Sequence, residues 1–201
     1  MADPVRVAVL LSGRGSNMLA LAEHRRRDPD RAYRIDLVAS NVPESRGLVL
    51  ARRLGLPTWA HSHKGLNRAD FDRLVDAELR RRDIEAIALA GYMRLLSDEF
   101  VAAWQGRILN IHPSLLPDYK GLDTHRRAIE AGEAEAGCSV HLVTPDLDGG
   151  PVIAQTRIRI RTRESAEELE ARVLAEEHKL YPPALEAFCL ALRGETAVPP
   201  L

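Results

Sequence analysis

Asn110 and His112 are the residues of this chain best suited to chemistry on a carbonyl. They stand two apart at the end of an apolar run, residues 107–111, that reads as a strand and is closed by Pro113. On an extended strand, residues two apart point to the same side. A side-chain amide there can hold a developing oxyanion, and an imidazole can give or take a proton near neutral pH. Asp148 lies downstream in a tight acidic turn, Asp146-Leu147-Asp148-Gly149-Gly150-Pro151. Placed beside His112, its charge is expected to raise the proton affinity of the ring and keep more imidazolium at pH 7.

A second chemical feature sits near the start. Val5 to Leu11 is an almost continuous apolar run, as in a parallel strand covered on both faces. Ser12-Gly13-Arg14-Gly15-Ser16-Asn17 follows at once, and a helix runs on to about Arg27. A strand, a glycine turn and a helix N-terminus aim free backbone N–H groups and the helix dipole at one spot, which suits an anion. The third glycine of a dinucleotide fingerprint would fall at Met18, and the second strand, 34–39, ends in Ser40-Asn41 with no acid for a ribose diol. A single phosphate is therefore expected at Gly15, Ser16 and Asn17, not a dinucleotide. Gly15→Val is expected to block close approach of the backbone to that ligand.

The elements that must position these residues alternate strand and helix. Helices are predicted over 45–54, ending at Gly55, from an Asn67 cap to about Arg82, from a Ser97 cap through Trp104, and from Asp123 or Thr124 to Gly132. Strands are predicted over 57–60, 84–90, 137–144 and 151–161, the last alternating apolar and polar like an edge strand with one wet face. Ser165 and Glu168 form a capping box, and the helix they open is expected to be interrupted at Pro182-Pro183 before a second helix continues to Leu192. The tail after Gly194 is read as loose. The pattern gives an α/β fold with a doubly wound, mostly parallel, Rossmann-like sheet, an antiparallel C-terminal strand and a C-terminal helix. Ligands of such sheets collect beyond the C-terminal strand ends, where both Asn110–His112 and the segment after the 84–90 strand would lie. There Met93, Leu95 and Leu96 are suited to line an apolar slot with Arg94 at its mouth. His141 reads as an interior histidine. Glu177 is either a partner for a substrate amine or part of a solvated helix face.

With 201 residues, 28 Lys and Arg against 29 Asp and Glu, the chain suits one domain without a basic field for nucleic acid. Residues 1–105 are expected to form a nucleotide-phosphate-binding half and 106–201 a catalytic half. The two cysteines are far apart and form no CxxC pair, and His61-x-His63 has no acid or third histidine nearby, so no metal is expected. Neither a signal peptide nor an apolar run of membrane-spanning length is present, so a cytoplasmic protein without membrane association is expected.

Taken together, Ser12–Asn17, Gly91-Tyr-Met-Arg94, Asn110-Ile-His-Pro-Ser-Leu-Leu-Pro117, Gly121-Leu-Asp-Thr-His125 and Leu147-Asp-Gly-Gly-Pro-Val152 resemble the folate-dependent phosphoribosylglycinamide formyltransferase family over essentially the whole chain. The resemblance implies transfer of formyl from 10-formyltetrahydrofolate, a co-substrate, to the amine of 5'-phosphoribosylglycinamide (GAR) in purine biosynthesis, without a covalent enzyme intermediate or a metal. It implies His112 as catalytic acid, Asn110 as its neighbour and Asp148 as the group that tunes it. It implies Gly15, Ser16, Asn17, Leu174 and Glu177 on GAR, with Glu177 near its amine. Arg68, Met93, Arg94, Leu95, Leu96 and Asn110 are implied on the folate, with 106–201 as the folate-binding half. Two positions depart from the family: Asp123 stands where relatives often have His, and Leu174 where they often have a polar residue. Methionyl-tRNA formyltransferase and formyltetrahydrofolate deformylase share the core but carry further domains that this chain is expected to lack. Small-molecule partners are implied, as a monomer or a homodimer.

Overall fold

Strand β1 (Val5–Leu11) shows how the architecture is built. Its odd-numbered residues Val5, Val7, Val9 and Leu11 enter one core, and Ala8 and Leu10 enter another on the opposite face. A strand buried on both faces needs helices on both sides. In the computed structural model, which describes residues 3–196, α1 (Ser16–Arg27), α2 (Arg46–Arg53) and α6 (Ala166–Leu192) cover the first core. Helices α3 (Arg68–Arg81) and α4 (Asp98–Ala103) cover the second. The remaining strands are β2 (Tyr33–Ser40), β3 (Thr58–Ala60), β4 (Ala86–Leu89), β5 (Ile108–His112), β6 (Glu135–Leu142) and β7 (Val152–Arg159), with α5 (Thr124–Glu130) between β5 and β6.

The sheet order is β3-β2-β1-β4-β5-β6-β7. The first five strands in that order are parallel. β6 then pairs antiparallel with both β5 and β7. The strand that opposes the others is thus β6; β7 is antiparallel to its only neighbour yet runs in the common direction. The sheet is continuous through residue 105, since β4 and β5 are hydrogen-bonded neighbours and Tyr181 on α6 donates to the carbonyls of both Leu89 and Leu109.

Caps act as the sequence leads one to expect. Asn67 accepts from the Asp70 N–H, Ser97 from the Phe100 N–H, and Ser165 and Glu168 complete both halves of a capping box. α6 differs from expectation, because it runs unbroken through Pro182 and Pro183. Each proline removes one ladder bond and crowds the preceding turn, at a cost of roughly 3 kcal/mol in a helix interior. The buried stripe Leu169, Val173, Glu177, Tyr181, Leu185, Phe188 stays in phase across them, so both halves must keep one axis to bury it. Among the described residues no helix is long and apolar enough to cross a membrane. The tail from residue 197 onward lies outside the described residues.

Candidate active site

The glycine turn is fixed by packing as well as by backbone freedom. Gly15 has φ +78°, and a Cβ on it would come within 2.5 Å of Gly47 Cα on α2. A Cβ on Gly47 would in turn meet the Leu11 side chain at 2.7 Å. Gly15 is therefore required for α1 to seat against α2, before any ligand arrives. This corrects the expectation for Gly15→Val: the added side chain collides with the protein, so the substitution reports on folding and not on ligand approach. Ser12 ties the turn to neighbouring strand ends. Its hydroxyl donates to Asn41 Oδ1 at 2.6 Å and accepts from the Met93 N–H at 2.8 Å. Nothing in the sequence pattern singled out that role.

Behind the turn, Asn17 Nδ2 donates to Glu177 Oε2 at 2.6 Å, joining the second residue of α1 to α6. Both side chains are buried, and burial pushes the Glu177 carboxyl above its ordinary value while the Asn17 donor works against that rise. Glu177 is thus no solvated face. Leu174 lies one turn before it, partly buried.

At the antiparallel end, register does the assembling. Asn110 pairs with His141 and His112 with Ser139, so four polar side chains share one side of β5 and β6. Asn110 Nδ2 lies 3.1 Å from His141 Nε2, and His141 Nδ1 lies 2.9 Å from the Leu142 carbonyl. With that carbonyl taking the Nδ1 proton, Nε2 accepts one amide N–H of Asn110 and leaves the other available. His112 Nδ1 is 3.4 Å from Asp148 Oδ2, and its Nε2 is 3.1 Å from the Tyr119 carbonyl. Asp148 Oδ1 is 3.5 Å from His141 Nε2, and its Oδ2 accepts from the Gly121 N–H at 3.0 Å. Asp148 has φ +48°, and the glycines after it leave room where a Cβ would strike the Asp146 carboxylate or the Leu142 carbonyl. The expected trio does converge, and His141, read from sequence as an interior residue, stands between two of its members. The sequence puts it on one side of a strand with Ser139, but only the pairing of β5 with β6 sets it opposite Asn110.

The proton affinity of His112 runs against expectation. The ring is 6% exposed, and burial lowers its pKa below the ordinary value, with Asp148 and the Tyr119 carbonyl only partly restoring it. The neutral ring is therefore favoured near pH 7. Asp148 shows the opposite balance. Burial pushes its carboxyl up, but the neighbouring His141, the Gly121 N–H and the nearby His112 outweigh that and leave it below its usual range. It stays ionised.

The segment after β4 lies on the same sheet edge. Met93 is 71% exposed and Leu95 50%, while Leu96 packs on the second core, so only the last behaves as core. Arg94 lays its guanidinium 4.7 Å above the Phe71 ring, and Arg68 stands exposed at the start of α3. Both cations and this segment belong to residues 1–105, so the surface expected for folate draws on both halves of the chain. His61 and His63 both lie against the Phe71 ring, while His61 Nδ1 is 2.9 Å from the Ser62 carbonyl and His63 Nδ1 is 3.0 Å from the Asn41 carbonyl. Among the described residues no group of three metal-ligand side chains occurs.

Comparison with known proteins accords with this fold. The pattern of the formyl transferase family matches residues 5–185. The chain is 40% identical over 185 residues to phosphoribosylglycinamide formyltransferase of Escherichia coli (strain K12), covering 92% of this chain and 87% of that one. It is 44% identical over 182 residues to the human trifunctional purine biosynthetic protein adenosine-3, covering 90% of this chain but 18% of that protein. The chain thus spans less than a fifth of the trifunctional relatives it matches. The crystal structure of phosphoribosylglycinamide formyltransferase from Brucella melitensis superposes with a TM-score of 0.88 at 44% identity, covering 93% of this chain and 96% of that one. The likeness extends over nearly the whole sheet, and the chain belongs to the formyl transferase family.

Proposed function

We propose that this chain transfers the formyl group of 10-formyltetrahydrofolate to the amine of GAR, giving formyl-GAR and tetrahydrofolate. The observation that carries the reading is the convergence of Asn110, His112 and Asp148 at the same sheet edge as an anion-suited glycine turn. A binding module has no need of an amide, an imidazole and a carboxylate brought to one point.

The neutral amine attacks the formyl carbon, and negative charge develops on the formyl oxygen. The free N–H of Asn110 is suited to hold it; a donor of this kind is worth about 3–4 kcal/mol in the transition state. His112, neutral beforehand, takes the proton that the attacking nitrogen sheds. Asp148 and the adjacent oxyanion both stabilise the imidazolium so formed. The C–N10 bond then breaks as His112 returns that proton to N10, so bonds and charges balance without a covalent enzyme species. Gly15, Ser16 and Asn17 hold the phosphate, and Leu174 and Glu177 flank the rest of GAR. Arg68 and the 93–96 segment face the folate, whose carboxylates suit Arg68 and Arg94. These are small-molecule partners handled in the cytoplasm by a monomer or a homodimer.

The test follows absorbance of 10-formyltetrahydrofolate with and without GAR. Turnover that requires GAR supports the transferase. Loss of formyl without GAR would instead indicate a hydrolase with water in place of the amine, and no loss in either case would leave a binding module.

A further inference from the structure

Arg14 lies between the two glycines of the anion turn. Its guanidinium reaches Glu170 on α6 at 3.8 Å, with the two side chains 78% and 52% exposed. Glu170, Leu174 and Glu177 fall at i, i+4 and i+7, so they share one helix face. That is the face whose Glu177 is hydrogen-bonded to Asn17. The Arg14–Glu170 pair therefore spans the opening between the turn and the α6 surface that flanks it.

A ligand-free carboxylate in that position is a stand-in. An ion pair this exposed and this long contributes little to the fold, so it is readily exchanged for a stronger partner. A phosphate on the α1 N-terminus would present more charge and a fork-shaped set of acceptors suited to a guanidinium. A separate observation shows that the polar groups behind the turn are not fully paired. Asn17 is 8% exposed and its Oδ1 is buried without a hydrogen-bond partner.

We propose that Arg14 is a phosphate-binding and specificity-determining residue, held beside the turn by Glu170 and passed to the phosphate of a ribonucleotide when it binds. The proposal rests on the reading that the glycine turn takes the phosphate of GAR. It also offers a physical answer to Leu174, which brings no polar atom of its own to this opening: the turn supplies a cation instead. Glu170 then has two effects of opposite use. It keeps Arg14 beside the turn, and it competes with the incoming phosphate.

The experiment measures, on the full chain, KM for GAR, KM for 10-formyltetrahydrofolate, KM for the dephosphorylated glycinamide riboside, and the inhibition constant of inorganic phosphate against GAR. Arg14→Ala is expected to raise KM for GAR and the phosphate inhibition constant about tenfold, the loss of one charge-assisted contact. Its KM for the folate and for the riboside should hold. Glu170→Gln is expected to lower KM for GAR about two- to threefold, by removing the competitor. In the Arg14→Ala background Glu170→Gln should bring no such gain. Equal gain with or without Arg14 would mean simple carboxylate repulsion and overturn the exchange. An unchanged phosphate constant in Arg14→Ala would overturn the contact, while the turn reading stands if phosphate still competes with GAR. Failure of phosphate to compete with GAR in the unaltered protein would overturn both.

Discussion

Two neighbouring parts of the sheet, β1 and the β5–β6 pair, handle ligands by different means. In the parallel part, β1 ends in a turn whose offering is backbone: N–H groups of α1, two glycines, and a packing contact with Gly47 that leaves no room for a side chain. At the antiparallel end the offering is side chains. There β6 runs against β5, so Ser139 and His141 stand directly opposite His112 and Asn110. Directly opposed pairs on antiparallel strands have Cβ atoms about 4.5–5.5 Å apart, close enough for side chains to orient one another. A turn built of backbone can bind an anion but cannot move a proton. A register built of imidazoles, an amide and a carboxylate can do both. The reversal of one strand is what separates the binding part from the reacting part.

Four substitutions or titrations probe this contrast. The largest effect is expected in the reacting part. His112→Ala should lower kcat by about 10²–10⁴-fold, the usual range of general acid–base help, with circular dichroism unchanged. Retained wild-type kcat would remove His112 from the proposed mechanism. In the binding part the equivalent insult should be structural. Gly15→Val adds a Cβ 2.5 Å from Gly47 Cα at φ +78°, and strain of this kind costs on the order of 1–3 kcal/mol before the clash is counted. A lower urea midpoint with loss of soluble yield is expected; a stable protein with only a raised KM for GAR would restore the simpler idea of blocked ligand approach.

A third probe tests whether register orients the reacting amide. His141→Phe removes the acceptor 3.1 Å from Asn110 Nδ2 while filling much of the volume. A fall in kcat of roughly tenfold, with KM for GAR little changed, would mark His141 as a positioning residue. His141→Gln, which can still accept, should recover part of the loss. Equal loss in both variants would point to packing instead.

The smallest effect concerns pH. The folded pKa of His112 lies below its unfolded value of 6.5, so the unfolded chain takes up its proton first as pH falls. The His112 contribution is complete above about pH 6.5 and declines as pH falls from there toward the folded pKa. His24, His125 and His178 are lowered by burial too and act in the same direction. Asp72 and Glu177 are raised and act in the opposite sense, gaining relative to the unfolded chain as pH falls. The difference between the unaltered protein and His112→Gln cancels these others. Its urea midpoint should narrow or change sign steadily from pH 7 to pH 5.5. The acid limb of kcat should likewise lie below pH 6.5. A limb above 6.5 would show that the Asp148 charge, and not burial, governs the ring.

Much of the molecule was legible without coordinates. Apolar runs bounded by turn residues located all seven strands, because a buried parallel strand has few other ways to be written. Asn67, Ser97 and Ser165 announced their helices, since the orphan N–H groups of a first turn call for such side chains nearby in sequence. Asn110 and His112 were paired by the period of two alone. Where legibility failed, the deciding partner was remote in sequence. Gly15 owes its identity to Gly47, and His141 its place to Asn110 on another strand. α6 owes its continuity to the core that Tyr181 and Leu185 bury on either side of two prolines.

The sequence by itself determined the elements, their caps, the glycine turn and the side of β5 from which an amide and an imidazole emerge. All of these rest on local dihedral preference and side-chain period. Tertiary structure alone decided the direction of β6, the approach of Asp148 to both histidines, and the proton affinity of His112. The physical reason is that a charge's worth depends on how much water the rest of the chain removes from around it. Burial outweighs the adjacent carboxylate at His112, while His141, Gly121 and His112 together outweigh burial at Asp148.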